Sequence, residues 1–307
     1  MAQYGVGDGG IYNGGTMTVT HSTVSYNTDP LLTAVGGGID NAGPSTISDS
    51  TVSNNSVTGA GVAGGGIFNN SPNTLTISNS TVSDNSVTGS GPATGGGISN
   101  EGTANLSNNT VKGNTAPFGG GIYNNATANL SNNTVTSNTS ISNGSGSNGG
   151  GFFNDTPGIA TVTGGSFTSN TTSGKGGGIL NQATFTANGI SVTNNNATNG
   201  GGGIYNGGGT VTLANSTVSL SSAAISGGIF NDGAGRHLTL TATIVSGNSA
   251  TTDYGGGIYN VGTLTANRSF VIFNRADVEG GGIYEASGSV SLTATLVLFN
   301  TPDNIYP

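Results

Sequence analysis

The chain contains no cysteine, so no disulfide holds it. A long stack of repeats needs none, and the absence says nothing about redox compartment. Tryptophan is also absent, which counts slightly against sugar binding. Charge is scarce: 5 Lys and Arg stand against 13 Asp and Glu, a net charge of −8. Lys112, Lys175, Arg236, Arg268 and Arg275 are too scattered to neutralise a phosphate backbone, which argues against nucleic acid as a partner. Polybasic docking to a membrane fails for the same reason. No run approaches 18 apolar residues, so no helix is expected to span a bilayer. The start, Met1-Ala2-Gln3-Tyr4, shows neither the basic nor the apolar region of a signal peptide. Any leader or anchor is therefore expected to be missing from this chain.

What the chain has in abundance is glycine, 58 residues of 307, together with Ser, Thr and Asn. Such a composition can mark a disordered linker, but here it is ordered into a repeat. A glycine run, then Ile or Phe, one variable residue, and Asn or a substitute recurs eleven times. The first copy is Gly9-Gly10-Ile11-Tyr12-Asn13 and the last full one Gly280-Gly281-Gly282-Ile283-Tyr284-Glu285. Spacings run from about 22 to 31 residues, with a mean near 27. A period of that length describes stacked supersecondary units rather than a globule around one core.

A second anchor, Val-x-x-Asn, follows each glycine motif by about 15 residues. Examples are Val24/Asn27, Val52/Asn55 and Val82/Asn85, with a Phe form at Phe167/Asn170 and Ser221 replacing one Asn. The residues seven and five before each Val are apolar in every copy, from Met17/Val19 to Val290/Leu292, except at Ser45. The residues between them are mostly Thr, Ser and Asn. This period-two alternation places a half-buried strand in each repeat, and the two motifs supply two more.

Three short strands per turn, without helical periodicity, predict an all-β fold. The expectation is a single right-handed parallel β-helix of about 11 coils over residues 1–307, with no separate cap or membrane barrel. At about 4.8 Å per coil the rod would be roughly 50 Å long. The Asn of each motif should form a ladder, each amide bonding the coils above and below. Ser221 and Glu285 are the expected breaks. Length varies mostly between Val-x-x-Asn and the next glycine run, so one corner should carry the variable loops.

At these two motifs the chain resembles the repeats of polymorphic outer-membrane proteins and related bacterial β-helical surface proteins. Their signature alternates a Gly-Gly-Ala-Ile type motif with Phe-x-x-Asn. Here it reads Gly-Gly-Gly-Ile and Val-x-x-Asn, with the Phe form kept at Phe167-Thr168-Ser169-Asn170. The resemblance covers essentially the whole chain and implies a secreted or surface-displayed bacterial rod, used in adhesion or as a stalk. Two departures matter: no membrane barrel follows the repeats, and Val mostly replaces Phe.

The residue between Ile and Asn should point outward, and in nine of twelve copies it is aromatic: Tyr12, Phe68, Tyr123, Phe153, Tyr205, Phe230, Tyr259, Tyr284 and Tyr306. Such a row either stiffens the rod by stacking or forms an open strip that binds a surface glycan or protein. In the last three coils the Thr and Ser flanking Val become Ile244, Phe270, Ile272, Leu296 and Leu298, an apolar patch suited to assembly. Open coil ends invite head-to-tail self-association into fibres.

Catalysis is not expected. The acids fall in different coils and rows, and Asp277 and Glu279 have only Arg275 as a basic neighbour. His21 and His237 are eight coils apart, which excludes a Ser-His-Asp arrangement or a metal site built on both. No cofactor or metal is expected. Gly5-x-Gly7-x-x-Gly10 and Gly144-x-Gly146-x-x-Gly149 match a dinucleotide fingerprint by letters alone. Gly7-Asp8 occurs once, not as a calcium-binding array. An alternative from another class is ice binding: outward pairs Thr16/Thr18, Thr74/Thr76, Thr184/Thr186, Thr210/Thr212 and Thr263/Thr265 would give an array similar to that of β-helical antifreeze proteins. Pro44, Asn105, Asn129, Ile159 and His237 interrupt it, and a polysaccharide-binding or polysaccharide-degrading β-helix is the other alternative.

Overall fold

The computed structural model describes residues 9–30, 35–59, 61–89, 91–141 and 149–307. The two glycine fingerprints and Gly7-Asp8 lie wholly or partly outside them. Among the described residues there is no helix. Every strand is short and pairs in parallel with its counterparts one repeat before and after.

Over the described residues, to which the strand counts below refer, the chain winds as a four-sided parallel β-helix. Sheet I has twelve strands, Ile11–Asn13 to Ile305–Tyr306, and is the Ile-x-Asn motif. Sheet II has eleven, Met17–Thr20 to Ser289–Thr293, and is the alternating segment. Sheet III has eleven, Thr23–Ser25 to Leu296–Leu298, and carries the Val of Val-x-x-Asn. Sheet IV has ten, Thr28–Asp29 to Arg275–Ala276. The three strands expected in each coil are all present, and sheet IV adds a short fourth strand in ten of the coils among the described residues. Sheet IV strands are mostly two or three residues long, and their buried inward residue is small or polar in most coils, as at Ala116, Ser140, Thr172 and Ala223. Neither length nor hydrophobicity announces them.

Aliphatic residues from sheets I, II and III stack into one continuous core. Phe152 meets Phe167 and Phe185 there at centroid distances of 6.2 and 6.0 Å, beside the small Ala160 and Ala187. Ser45, the one polar residue in the alternating columns, is buried and its hydroxyl has no hydrogen-bond partner.

Turns between sheets use left-handed backbone at fixed positions. The residue before the ladder Asn of Val-x-x-Asn has positive φ in every coil: Asn54 at 56°, Asp84 at 55°, Gly113 at 65°. Asn, Asp and Gly suit that region. Tyr26, Leu220, Phe273 and Phe299 occupy it too, and all four are exposed. The glycine run serves a second need. A Cβ on Gly121 would lie 2.5 Å from the Gly151 carbonyl oxygen and 2.9 Å from the Asn138 side-chain amide, so only glycine lets the coil pass beside the ladder.

Two asparagine ladders lock the register. Along sheet I, Asn13 donates through Nδ2 to Asn41 Oδ1, and the chain of bonds continues through nine rungs to Asn260 at 2.7–3.0 Å. The second ladder runs from Asn27 to Asn195 and again from Asn248 to Asn300. Here each Nδ2 after Asn27 also donates to a Val or Phe carbonyl in the preceding coil, as Asn138 does to Val111 at 3.0 Å. Each backbone N–H adds a bond to the next Oδ1, as Asn114 does to Asn138. One amide therefore ties three coils together.

Ser221 fills the gap in part. Its Oγ accepts from the Asn195 N–H at 3.2 Å and its own N–H donates to Asn248 Oδ1 at 3.0 Å. The backbone half of the rung survives and the amide-to-amide half is lost. Ser226 in the same coil takes a glycine position at φ 52°, buried and with an unpartnered hydroxyl. At the far end Asn304 Oδ1 accepts from both the N–H and the Nδ2 of Asn300 at 3.1 Å. A third row, unanticipated from sequence, lies at the turn between sheets II and III: Ser22 N–H to Ser50 Oγ, Ser50 to Ser80, Ser80 to Asn109, Asn109 to Asn133.

Removing one rung strands the partners on both sides. Asn138→Ala should cost about 1–3 kcal/mol, and Ser221→Asn should stabilise by about 1 kcal/mol by restoring the amide pair. Urea unfolding of the three proteins measures both; a destabilised Ser221→Asn would contradict the ladder account.

Candidate binding face

The outward column of sheet I is in perfect register from Tyr12 through Asp40, Phe68, Ser99, Tyr123, Phe153, Leu180, Tyr205, Phe230, Tyr259 and Tyr284 to Tyr306. Successive rings touch: Tyr123–Phe153 at 5.3 Å, Tyr205–Phe230 at 5.1 Å, Phe230–Tyr259 at 4.6 Å, Tyr259–Tyr284 at 5.1 Å and Tyr284–Tyr306 at 5.5 Å. The column points away from the core but is not the open strip that the sequence suggests. Phe68, Tyr123, Phe153 and Tyr205 are buried, and Phe230, Tyr259 and Tyr284 are half-buried; Tyr12 (52%) and Tyr306 (37%) are exposed.

The cover is the variable-loop corner. Residues just before the glycine runs fold against the column: Thr94 pairs its hydroxyl with Ser99 at 3.0 Å, and Phe118 packs 6.3 Å from Phe153. Lys175 lies over the Tyr205 ring at 4.5 Å, and Tyr254 stacks on Tyr284 at 4.5 Å. Two features that look independent in sequence, the loops and the aromatics, form one face.

The other flank is polar. The residue after each ladder Asn stacks as Glu101, Asn125, Asp155, Gln182, Gly207 and Asp232, each backbone N–H bonding the carbonyl of the ladder Asn one coil earlier. Three acids thus share one row, which corrects the expectation that they are scattered. They do not converge, since Glu101 and Asp155 are two coils apart and Asp232 three further on, roughly 10 and 14 Å. Counting one residue past each ladder Asn would have found them.

Two tyrosines are pinned between the flanks. The Tyr123 hydroxyl donates to Asp155 Oδ2 at 2.7 Å. The Tyr205 hydroxyl donates to Asp232 and accepts from Lys175 Nζ at 2.6 Å, while Lys175 and Asp232 sit 3.8 Å apart. Burial first, then the carboxylate partner, holds both phenols protonated far above their ordinary range. Burial likewise raises Glu101 above the usual carboxylate range. A cleft of about 250 Å³ opens at Pro92, Thr94, Phe118, Tyr123, Phe153, Asp155 and Gln182.

The apolar patch lies elsewhere, on sheet III. Ile244, Phe270 and Leu296 share one register position, and Ile272 and Leu298 another. All are exposed except the half-buried Ile272. Phe273 and Phe299, missed in sequence because they fall at the turn, extend it with stacked rings 5.3 Å apart. On sheet II, Thr18, Thr46, Thr76, Thr161, Thr186, Thr212, Thr239 and Thr265 lie in one outward column. Asn105 and Asn129 interrupt it where a depression of about 390 Å³ indents the face. Among the described residues no three His, Asp or Glu side chains are grouped as metal ligands, and no helix is long and apolar enough to cross a membrane.

A family model described as right handed beta helix region matches residues 4–140, and the same coil geometry continues to Tyr306. Neither the curated proteins nor the solved structures compared with the chain give a match.

Because the folded state holds the Tyr123 and Tyr205 protons more tightly than the unfolded chain, stability is intact below the unfolded phenol pKa of 10.0 and falls as pH rises beyond it. Tyr123→Phe should make that alkaline limb shallower by up to about 1.4 kcal/mol per pH unit. Unfolding free energies measured from pH 9 to 11.5 decide it; parallel limbs would contradict it.

Proposed function

We propose that the chain is a non-enzymatic, surface-displayed bacterial rod that adheres to a partner through the face where loops, aromatic column and polar row meet. The observation that carries this is that the rings still partly open to solvent, Phe118, Phe230, Tyr254, Tyr259, Tyr284 and Tyr306, lie along the same side of sheet I as the carboxylate and amide row. Ring faces with adjacent hydrogen-bonding groups suit recognition, whereas the acids stand too far apart in register for paired acid–base work. Fold alone does not decide between these roles.

Self-association is assigned to the sheet III patch rather than to the coil end. Asp303 and Asn304 already accept the Gly280 N–H and the Asn300 amide groups that a stacked coil would use. A self-complementary patch of Phe270, Leu296, Leu298 and Phe299 favours side-by-side pairing. The resemblance to surface repeats supports an extracellular location.

Purified chain on arrays of immobilised glycans and matrix proteins should bind at least one partner, and Tyr254→Ser with Tyr284→Ser should weaken it about tenfold. Release of shortened polysaccharide products, or no binding on either array, would reject the reading. In sedimentation, Phe270→Ser with Leu296→Ser should shift wild-type dimers to monomers; a monomeric wild-type protein would reject the patch assignment.

A second reading, ice binding, is favoured by the in-register threonine column alone. Rows about 4.8 Å apart could order water, but the depression at Asn105 and Asn129 breaks the flatness such contact needs. Ice-crystal shaping by the pure protein would select it over adhesion.

A further inference from the structure

We infer that the cleft between Phe118 and Asp155 is a binding site for one neutral pyranose ring of a glycan. This rests on the adhesive reading above and names its ligand. The cleft has two unlike walls. One is aromatic: the half-buried Phe118 ring, tilted 34° from Phe153 at 6.3 Å, with Tyr123 beneath. The other is polar, formed by Asp155 and Gln182. A pyranose has one face of C–H bonds and an equatorial rim of hydroxyls, and fits that pair of walls.

The hydrogen-bonding capacity left over matches the rim. Asp155 Oδ2 accepts from the Tyr123 hydroxyl at 2.7 Å and Oδ1 from the Thr156 N–H at 2.8 Å, so each oxygen keeps a lone pair. The carboxylate is thereby fixed in orientation before any ligand arrives. Gln182 lends its backbone carbonyl to the Thr156 hydroxyl at 3.0 Å, while its exposed side chain lines the cleft and presents its amide there. Vicinal hydroxyls could donate to the carboxylate and accept from the amide together.

Two competing ligands fit worse. No cation lines the cleft, so a uronate or sulfated sugar would meet the Asp155 charge without compensation. An extended peptide needs a free strand edge, and the sheet I backbone here is already bonded to the coils on either side.

Saturation-transfer NMR on the intact chain tests it, using methyl glucoside, galactoside and mannoside with methyl glucuronide as the charged control. At least one neutral glycoside should receive saturation from aromatic protons, and Phe118→Ala and Gln182→Ala should each weaken binding about tenfold. Both side chains sit at the surface of the cleft, and circular dichroism checks that the fold is retained. No saturation of any neutral glycoside, equal response to the glucuronide, or unchanged binding in both variants would overturn the proposal. If glycosides fail while the protein still binds partners on the arrays, the pyranose site falls alone; if both fail, the adhesive reading falls with it.

Discussion

A buried primary amide must find partners for two donors and an acceptor, and in this fold the coils above and below are where it finds them. That requirement sets everything else. An Asn ladder tolerates no slip of one residue, because a slipped coil would bury an unsatisfied amide among aliphatic side chains. With register fixed, equivalent residues in every repeat lie directly over one another. The rod's outer faces are therefore consequences of its interior amides.

Hydrophobic burial alone would not give this order. The apolar columns of sheets I to III are interchangeable in kind, with Ile, Val, Leu, Ala and Phe all present; their alternation opposes a one-residue slip, but a shift of two residues keeps the apolar face inward and is opposed by the amides. Burial drives collapse and the ladders specify which collapse. The glycine run completes the arrangement by leaving room for the amide column to pass beside the backbone. On the outside, the same alignment brings aromatic, carboxylate and loop residues from five or six coils to one face.

The parts legible in sequence were those repeated in every coil. Ile-x-Asn and Val-x-x-Asn are strict, so sheets I and III and both ladders could be read directly, and sheet II followed from its alternation. Sheet IV could not, because Ala116, Ser140 and Thr172 carry no hydrophobic signal in two-residue strands. The turn row was hidden by chemical variety, since Ser50, Ser80, Asn109 and Asn133 do one job with two different kinds of side chain. The outward direction of the aromatic column was correct, yet its burial depended on where Phe118, Lys175 and Tyr254 return, and loops of unequal length have no period to read. Phe273 and Phe299 escaped because a left-handed turn is where Asn or Gly is expected.

The coil around Ser221 gathers three departures: a hydroxyl in place of a ladder amide, Leu220 in left-handed backbone, and Ser226 where glycine stands elsewhere. Stacked coils are loaded in series when the rod is pulled lengthwise, so every seam bears the whole force, and the seam between Asn195 and Ser221 meets it without the amide-to-amide bond that its neighbours keep.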